Sequence, residues 1–593
     1  MAERNGAERN WPNLAAMFFD QARRRGDRPF LWAKHDGTYR PIAWREAAAQ
    51  VEALARGLRA LGLQRGDRVA LVAENRPEWI VADLAIISAG CITVPAYTTH
   101  QVEDHRYLLA NSGARAAIVS TAMLAQRVIR AADQVDGVEH IVMLEEPGQA
   151  QTSGTEVLRV ADVVEHGRAA GGDVAAWVAE LAPDDLACLI YTSGTGGLPK
   201  GVMTSHANIM SNCRGAFALL ELLGIEEDEV FLNFLPLSHS YEHTAGMMFP
   251  IYIGAAIYFA EGAETLAANM IEARPTIMTA VPRLYETMHQ RLVRMVDREG
   301  GWKAKLFYRA VALGEKRLAD PRSLTMWERL IDRALEKLVR DKMRARFGGR
   351  LKAMVSGGAP LNPKIGSFFI ALGLRLLQGY GQTETSPVVS ANRPDKIKVA
   401  TVGPPLDGVE VRIAEDGEIL VRGPVVMKGY WNEPEATAKA LADGWLHTGD
   451  VGEIDRDGYI VITDRKRDFI KNSGGDMIAP ARIEGALTLE PQIAQAMVYG
   501  DRRPYLVAVI VPAQELIDRA KGDEAGLQKA VAAVVGRVNP GLANIERVRR
   551  FIVAREPFTT ANGQMTPTLK IRRHEIRAAY GAALDALYEA KSS

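Results

Sequence analysis

Short apolar runs recur along the first three-quarters of the chain, most of them closed by glycine, proline or a hydroxyl residue. RVALVAEN (68–75), ARAAIVS (114–120), HIVMLE (140–145) and LACLIYTS (186–193) read as strands, as do Cys91 to Ala96, VFLNFLP, AAIYFA, PTIMTAVP and LKAMVSGG further on. Helical spacing fills the gaps, from Pro77 to about Ala89 and again from near His206, with Asn208 close to the first turn. Strands alternating with helices predict an α/β fold in which helices cover the faces of a parallel sheet. The segment 288–349 differs: few strand formers, and Arg, Lys, Leu and Ala at helical spacing, read as a solvated helical hairpin. After Gly379 the chain becomes strand-rich. VEVRIAEDGEILVRG (409–423) predicts a hairpin with Asp416-Gly417 supplying the positive φ of its turn, and Asp457-Gly458 marks another. From about Arg465 the pattern changes to a small α+β unit. The predicted organisation is a large N-terminal α/β domain, 1–464, with a β-rich part near its end, and a small C-terminal α+β domain, 465–593.

Composition narrows the function classes. The chain has 593 residues with 72 Lys+Arg and 72 Asp+Glu, so a chain-wide nucleic-acid binder is excluded. Apolar residues at 47% and charged residues at 24% exclude a disordered chain. The three cysteines, Cys91, Cys188 and Cys213, form neither a disulfide framework nor a zinc ribbon and read as buried thiols in a reducing compartment. The N-terminus, MAERNGAERN, lacks an apolar signal core. The most apolar run, Ala245 to Ala260, is too short to span a bilayer, is interrupted by Pro250 and Gly254, and reads as core. A cytoplasmic protein is expected. Charge is nevertheless uneven: from Arg291 to Arg350 there are 17 Lys/Arg against 8 Asp/Glu. That excess predicts a peripheral contact with the anionic inner face of a membrane, with Arg340, Arg344 and Arg346 among its cations.

Candidate chemistry clusters at the strand ends. In YTSGTGGLPKG (191–201), backbone N–H groups and hydroxyls can converge on phosphate oxygens, although Pro199 rules out a Walker A loop. LPLSHSYEH (235–243) contains H-x-x-E-H, His239, Glu242 and His243; Pro236 and the lack of a third ligand speak against zinc. SGGAPL (356–361) and GYGQTETSP (379–387) offer a slot for a flat ligand, with Tyr380 to stack on a base and Glu384 to ligate a hard cation. In GWLHTGD (444–450), Asp450 can accept from two vicinal hydroxyls. DRKRDFIKNSGG (464–475) reads as a charged turn followed by glycines, and MTPTLKIRR (565–573) carries Lys570.

Taken in order, these motifs resemble the adenylate-forming superfamily of acyl-CoA synthetases, peptide-synthetase adenylation domains and beetle luciferases, over residues 10 to 580. Segment 288–349, DRKRDFIKNSGG and TPTLK look most like long-chain fatty acid CoA ligases. The resemblance implies an N-terminal ATP- and acyl-binding domain and a mobile C-terminal domain carrying the catalytic lysine. It implies that a fatty acid reacts with ATP to give an acyl-adenylate and pyrophosphate, and that CoA then displaces AMP. Lys570 is expected to bridge the carboxylate and the α-phosphate, with Thr195 and Glu384 holding Mg²⁺. Thr192, Ser193, Gly194, Thr195, Gly197 and Lys200 would cradle the phosphates. Gly358, Ala359, Pro360, Tyr380, Gly381 and Thr383 would surround the adenine side, and Asp450 and Arg465 the ribose. His239 would border the acyl pocket. Arg467 would be the hinge, and Lys471, Gly474 and Gly475 would serve the CoA step. The family usually has Thr where Gly196 stands; losing that hydroxyl, at ~1 kcal/mol for a neutral hydrogen bond, predicts weaker ATP binding or slower pyrophosphate release.

No motif fixes the acyl length, because a tunnel is built from dispersed apolar side chains. An acyl-AMP ligase serving a carrier protein and a CoA ligase for an aryl, cyclic or medium-chain acid share these motifs. A non-catalytic nucleotide-binding protein is the reading from another class, and intact Lys570, Glu384 and Asp450 argue against it.

Overall fold

The computed structural model describes residues 10–146, 154–192, 198–225, 227–466, 468–474, 476–566 and 570–589. Within them two eight-stranded sheets dominate. In one, six parallel strands run in the order Arg68–Val72 flanked by Ile92–Pro95 and Leu186–Thr192 on one side, and by Ala114–Val119, His140–Met143 and Glu156–Arg159 on the other. The antiparallel strands Lys200–Ser205 and Gly429–Tyr430 extend its edge. The second sheet has a parallel centre built from Val230–Asn233, Ala256–Phe259, Ile277–Ala280, Ala353–Ser356 and Leu376–Gly381, as the apolar runs predict.

Helix Pro77–Ser88 carries buried apolar residues around its whole circumference, with Asp83 and Ser88 buried among them, and only Glu78 in it escapes burial. An all-round apolar helix must be covered on all sides. Its residues share one core with Val69, Leu71 and Ile190 of the first sheet and Phe231, Ile257 and Ile277 of the second. Most of the stretch 247–259 is buried in this core too, so its hydrophobicity is a packing requirement. All three cysteines are free and buried. No helix among the described residues is long and apolar enough to cross a membrane.

A four-stranded antiparallel sheet follows, Glu410–Ile413, Glu418–Arg422, Leu446–Ile454 and Ile460–Arg465. Gly417 and Gly458 take the positive φ expected at its turns, +83° and +80°. Beyond it, Ile493–Tyr499, Leu506–Pro512 and Val548–Val553 form a three-stranded sheet with its own core, including Ile483, Leu487, Ile510 and Val534. Arg283 donates to the Ala494 carbonyl at 2.7 Å and Arg294 pairs with Glu515 at 2.6 Å, which fastens this C-terminal unit to helix Pro282–Glu299.

The segment 288–349 departs from the expected hairpin. It consists of helices Pro282–Glu299, Gly301–Ala319 and Met326–Leu335, the last continuing through a wider turn, Glu336–Arg340, into Asp341–Arg346. Phe307, Leu313, Leu335 and Met343 pack with Phe368 and Phe369 of helix Pro363–Ala371 in one core. A Cβ on Gly314 would come within 2.6 Å of Ala371, so glycine permits this close crossing. The expected role of Arg340 as a surface cation is corrected: the side chain is fully buried. It pairs with Asp332 at 2.6 Å and donates to the carbonyls of Ala371 at 2.7 Å and Ala310 at 3.0 Å. Helical spacing marks which residues can share a face, but it cannot show that a second layer covers that face. Arg344 is also engaged, with Glu336 and Asp341. Removing one partner of a buried ion pair leaves the other charge uncompensated. Arg340→Ala should therefore lower unfolding free energy by about 3–5 kcal/mol in urea, whereas Lys342→Ala on the exposed surface should change it by less than about 0.5 kcal/mol.

Candidate active site

Strands Leu186–Thr192 and Lys200–Ser205 are register partners, with Thr192 opposite Lys200, so both ends of the glycine-rich loop are fixed. Ser193, Gly194, Thr195, Gly196 and Gly197 lie outside the described residues. Next to the hairpin, Tyr430 pairs with Val202 across the sheet edge. The Lys200 ammonium sits 5.0 Å from the Tyr430 ring centroid, and the Tyr430 hydroxyl donates to Glu384 Oε1 at 2.9 Å. Glu384 Oε2 has no hydrogen-bond partner among the described residues.

The strand ends of the second sheet deliver the next groups. Strand Ala353–Ser356 runs into Gly358, φ +81°, followed by Ala359 and Pro360. Strand Leu376–Gly381 ends with Tyr380 and Gly381, and Ser240 meets the Thr383 hydroxyl at 3.0 Å. Asp450 and Arg465 face each other across paired strands. Arg465 Nε lies 3.2 Å from Asp450 Oδ1, while Tyr380 Oη and Gln382 Nε2 donate to Oδ2 at 2.7 and 2.5 Å. Burial and the Asp450 charge push the Tyr380 phenol far above its ordinary range, so it remains a donor.

Lys570 arrives from the C-terminal unit. Its own backbone N–H donates to Thr566 Oγ1 at 3.1 Å and its carbonyl accepts from Thr566 N at 2.8 Å, closing the loop that carries it. Burial pushes the ammonium down to about 8; the Arg465 charge acts the same way, and Asp450 and Glu384 oppose it. His239 is held down to about 3 by burial and then by the Lys570 charge, so its imidazole is neutral. Lys570, Arg465, Asp450, Glu384 and His239 thus share one electrostatic field, although they come from distant parts of the sequence. Two cations, Lys570 and Arg465, share the field of two carboxylates, Asp450 and Glu384, an arrangement suited to a polyanionic ligand.

The AMP-binding enzyme family model matches residues 18–431, and the AMP-binding enzyme C-terminal domain model matches residues 467–592. The chain belongs to the AMP-binding enzyme family. A long-chain-fatty-acid–CoA ligase of Mycobacterium tuberculosis is 33% identical over 591 residues, covering 97% of each chain. The peroxisomal long chain acyl-CoA synthetase 6 of Arabidopsis thaliana is 30% identical, over 93% of this chain and 82% of its own. Among solved structures, the A domain of a carboxylic acid reductase from Segniliparus rugosus, in complex with AMP and a co-purified carboxylic acid, shares the fold. Its TM-score is 0.78 at 24% identity, over 99% of this chain and 95% of that one.

In this AMP-binding enzyme, Lys471 and Gly474 share no hydrogen bond or ion pair with Lys570, Arg465, Asp450 or Glu384 among the described residues. Both are exposed, on a turn where Ile470–Lys471 pairs with Met477–Ile478 and Asn472 bonds Asp476 at 2.9 Å. Arg467 and Gly475 lie outside the described residues. The H-x-x-E-H side chains diverge. His239 Nδ1 accepts from Tyr241 N, Glu242 accepts from Thr279 at 2.7 Å, and His243 faces the buried Asp83 at 3.2 Å. No group of three or more metal-ligating side chains occurs among the described residues. Sequence reasoning missed Tyr430, Gln382 and Ser240. Gln382 stands inside a motif already singled out, and its polar side chain after a strand end was the available signal. Tyr430 had none, because it joins Lys200 and Glu384 only through the sheet edge.

Two glycines separate close approach from mere conformational freedom. A Cβ on Gly381 would lie 1.8 Å from the Pro387 carbonyl oxygen, while one on Gly536, exposed in helix Glu524–Val538, would meet nothing within 4 Å. Gly381→Ala should cost ~2 kcal/mol or more in denaturant unfolding and weaken AMP binding. Gly536→Ala should stabilise by up to ~1 kcal/mol through helix propensity.

Proposed function

We propose that the chain is an ATP-dependent long-chain fatty acid CoA ligase, converting fatty acid, ATP and CoA to acyl-CoA, AMP and pyrophosphate through an acyl-adenylate. The observation that carries this reading is the common field of Lys570 with Arg465, Asp450, Glu384 and His239. The long-chain-fatty-acid–CoA ligase relatives, similar over nearly the whole chain, supply the substrate class.

A fatty carboxylate and ATP repel each other, so the first step needs cations between them. Lys570 meets both the carboxylate and the α-phosphate, and the neutral His239 borders the acyl carboxyl without adding a competing charge. Asp450 receives the ribose hydroxyls, with Arg465 beside it. Gly358, Ala359 and Pro360 face Tyr380, Gly381 and Thr383 across the adenine. Thr192, Ser193, Gly194, Thr195, Gly197 and Lys200 hold the β- and γ-phosphates. Glu384, whose Oε2 lacks a partner among the described residues, suits a hard oxygen-seeking ion. With Thr195 it would hold Mg²⁺, which supplies charge neutralisation to the phosphates. After pyrophosphate leaves, the C-terminal domain, 465–593, turns about Arg467. Lys570 withdraws, and Lys471, Gly474 and Gly475 approach the thioester site.

Half-reactions separate these roles. Lys570→Ala should slow acyl-adenylate formation by about 100-fold or more, ~3 kcal/mol of transition-state stabilisation. Thioester formation from supplied acyl-adenylate should fall far less. Equal loss in both halves contradicts the assignment. In the same assay, a screen from acetate through oleate to benzoate should give the highest pyrophosphate release with long-chain acids, and turnover to free thioester only with CoA.

The pH dependence follows from the same residue. Lys570 is cationic below about 8 and loses its proton above it. The rate of adenylation per ATP at low ATP should fall about tenfold per unit above that value. The residual activity of Lys570→Ala should lack this alkaline limb; a limb persisting at the same pH in that variant assigns the titration elsewhere.

A further inference from the structure

The helical layer between Gly301 and Arg346 has a face that the packed core does not use. Most of its acidic side chains are engaged locally, Glu328 with Lys316, Asp332 with Arg317 and Arg340, Glu336 with Arg344 and Asp341 with Arg344, while Glu315 and Asp320 form no ion pair among the described residues. Lys305, Arg322, Arg329, Arg333, Lys337 and Lys342 are exposed and form no ion pair among the described residues. The local charge excess therefore resides in unpaired cations and not in Arg340 or Arg344.

Those cations border apolar side chains. On the helix beginning at Met326, Met326 is 81% exposed, Trp327 77%, Leu330 55%, Leu338 52% and Ile331 41%. At 100° per residue Met326, Trp327, Leu330 and Ile331 fall on one arc with Arg329 and Arg333 at its edge, and Lys337 and Leu338, both exposed, lie in the wider turn that continues the helix. The opposite arc carries Leu335 and Val339, which are buried in the core, so the outward apolar arc is surplus to folding. Trp302, 69% exposed, opens the preceding helix of the layer. Single exposed apolar residues are ordinary, but an apolar arc with an indole and a cationic margin matches an interfacial helix.

We propose that the outward face of the helix Met326–Arg340 docks on an anionic phospholipid bilayer. Trp327, Met326 and Leu330 would enter the boundary between head groups and acyl chains, and Arg329, Arg333 and Lys337 would lie at the level of the lipid phosphates. Charge complementarity selects this occupant. Arg329, Arg333 and Lys337 are exposed and form no ion pair among the described residues, so the apolar arc is margined by positive charge for which an anionic surface is the complement. This binding is read without turnover and stands independently of the ligase reading.

The test is co-sedimentation of the full chain with phosphatidylcholine vesicles containing about a quarter phosphatidylglycerol, against pure phosphatidylcholine, at low and high salt. The wild-type protein should sediment with the anionic vesicles at low salt and be released by salt. Each cation near an anionic leaflet strengthens partitioning about fivefold, so R329E/R333E/K337E, which removes three cations and adds three anions, should weaken it by roughly 100-fold or more. W327A/L330A should weaken it by at least about tenfold, through the apolar surface removed. Both variants should keep the wild-type unfolding midpoint and wild-type activity on an acid short enough to stay in water. Wild-type protein left in the supernatant with anionic vesicles at low salt overturns the proposal. So does unchanged binding by both variants, or a wild-type dimer in light scattering that W327A/L330A dissociates, since a second copy would then cover the face.

Discussion

Asp450 accepts hydrogen bonds from Tyr380 and Gln382 through one oxygen and faces Arg465 through the other, in a buried position. A carboxylate taken out of water costs several kcal/mol unless every lone pair finds a donor. That constraint ties together the end of a parallel sheet, which brings Tyr380 and Gln382, and an antiparallel sheet, which brings Asp450 and Arg465. It also sets the charge that Lys570 meets. The lysine comes from the C-terminal unit into a field already balanced between Arg465 on one side and Asp450 and Glu384 on the other. Its own proton is then loosely enough held, near 8, to make the cation sensitive to what binds beside it.

The architecture keeps that lysine separable from everything else. The two large sheets share a continuous core around helix Pro77–Ser88, whereas the C-terminal sheet has a core of its own. Contact between the two parts includes polar links such as Arg283 to Ala494 and Arg294 to Glu515, and its apolar part includes Leu489 packed against the N-terminal helical core. Polar contacts of this kind can be exchanged with water, which a merged apolar core cannot do. A ligase needing one cleft for two transition states gains from such a division.

Much of this was legible in the sequence where function and local backbone coincide. The glycine-rich hairpin loop, the two Asp-Gly turns and the run of strand ends are short-range patterns, and motif order tied them to a family. Asp450 was legible only through that order, since a lone aspartate after a turn is usually a cap. Tyr430 was not legible, because its meaning lies in the sheet edge that brings it to Lys200. Arg340 misled for a related reason: an arginine at helical spacing looks solvated until a second helical layer, Pro363–Ala371, covers it. Between Met326 and Leu338 the composition carried the charge excess, but only tertiary packing separates the paired arginines from the unpaired ones and shows the apolar arc between them.

The account rests on Lys570 occupying the nucleotide cleft as a cation of lowered basicity. Its reactivity can be followed directly by labelling lysines with an amine reagent across pH and quantifying the Lys570 peptide by mass spectrometry. The account predicts a labelling midpoint near 8 in the free protein and strong protection by ATP with fatty acid, while exposed lysines such as Lys342 are unprotected. A midpoint for Lys570 near ~10.4, with no protection by the two substrates, would contradict it.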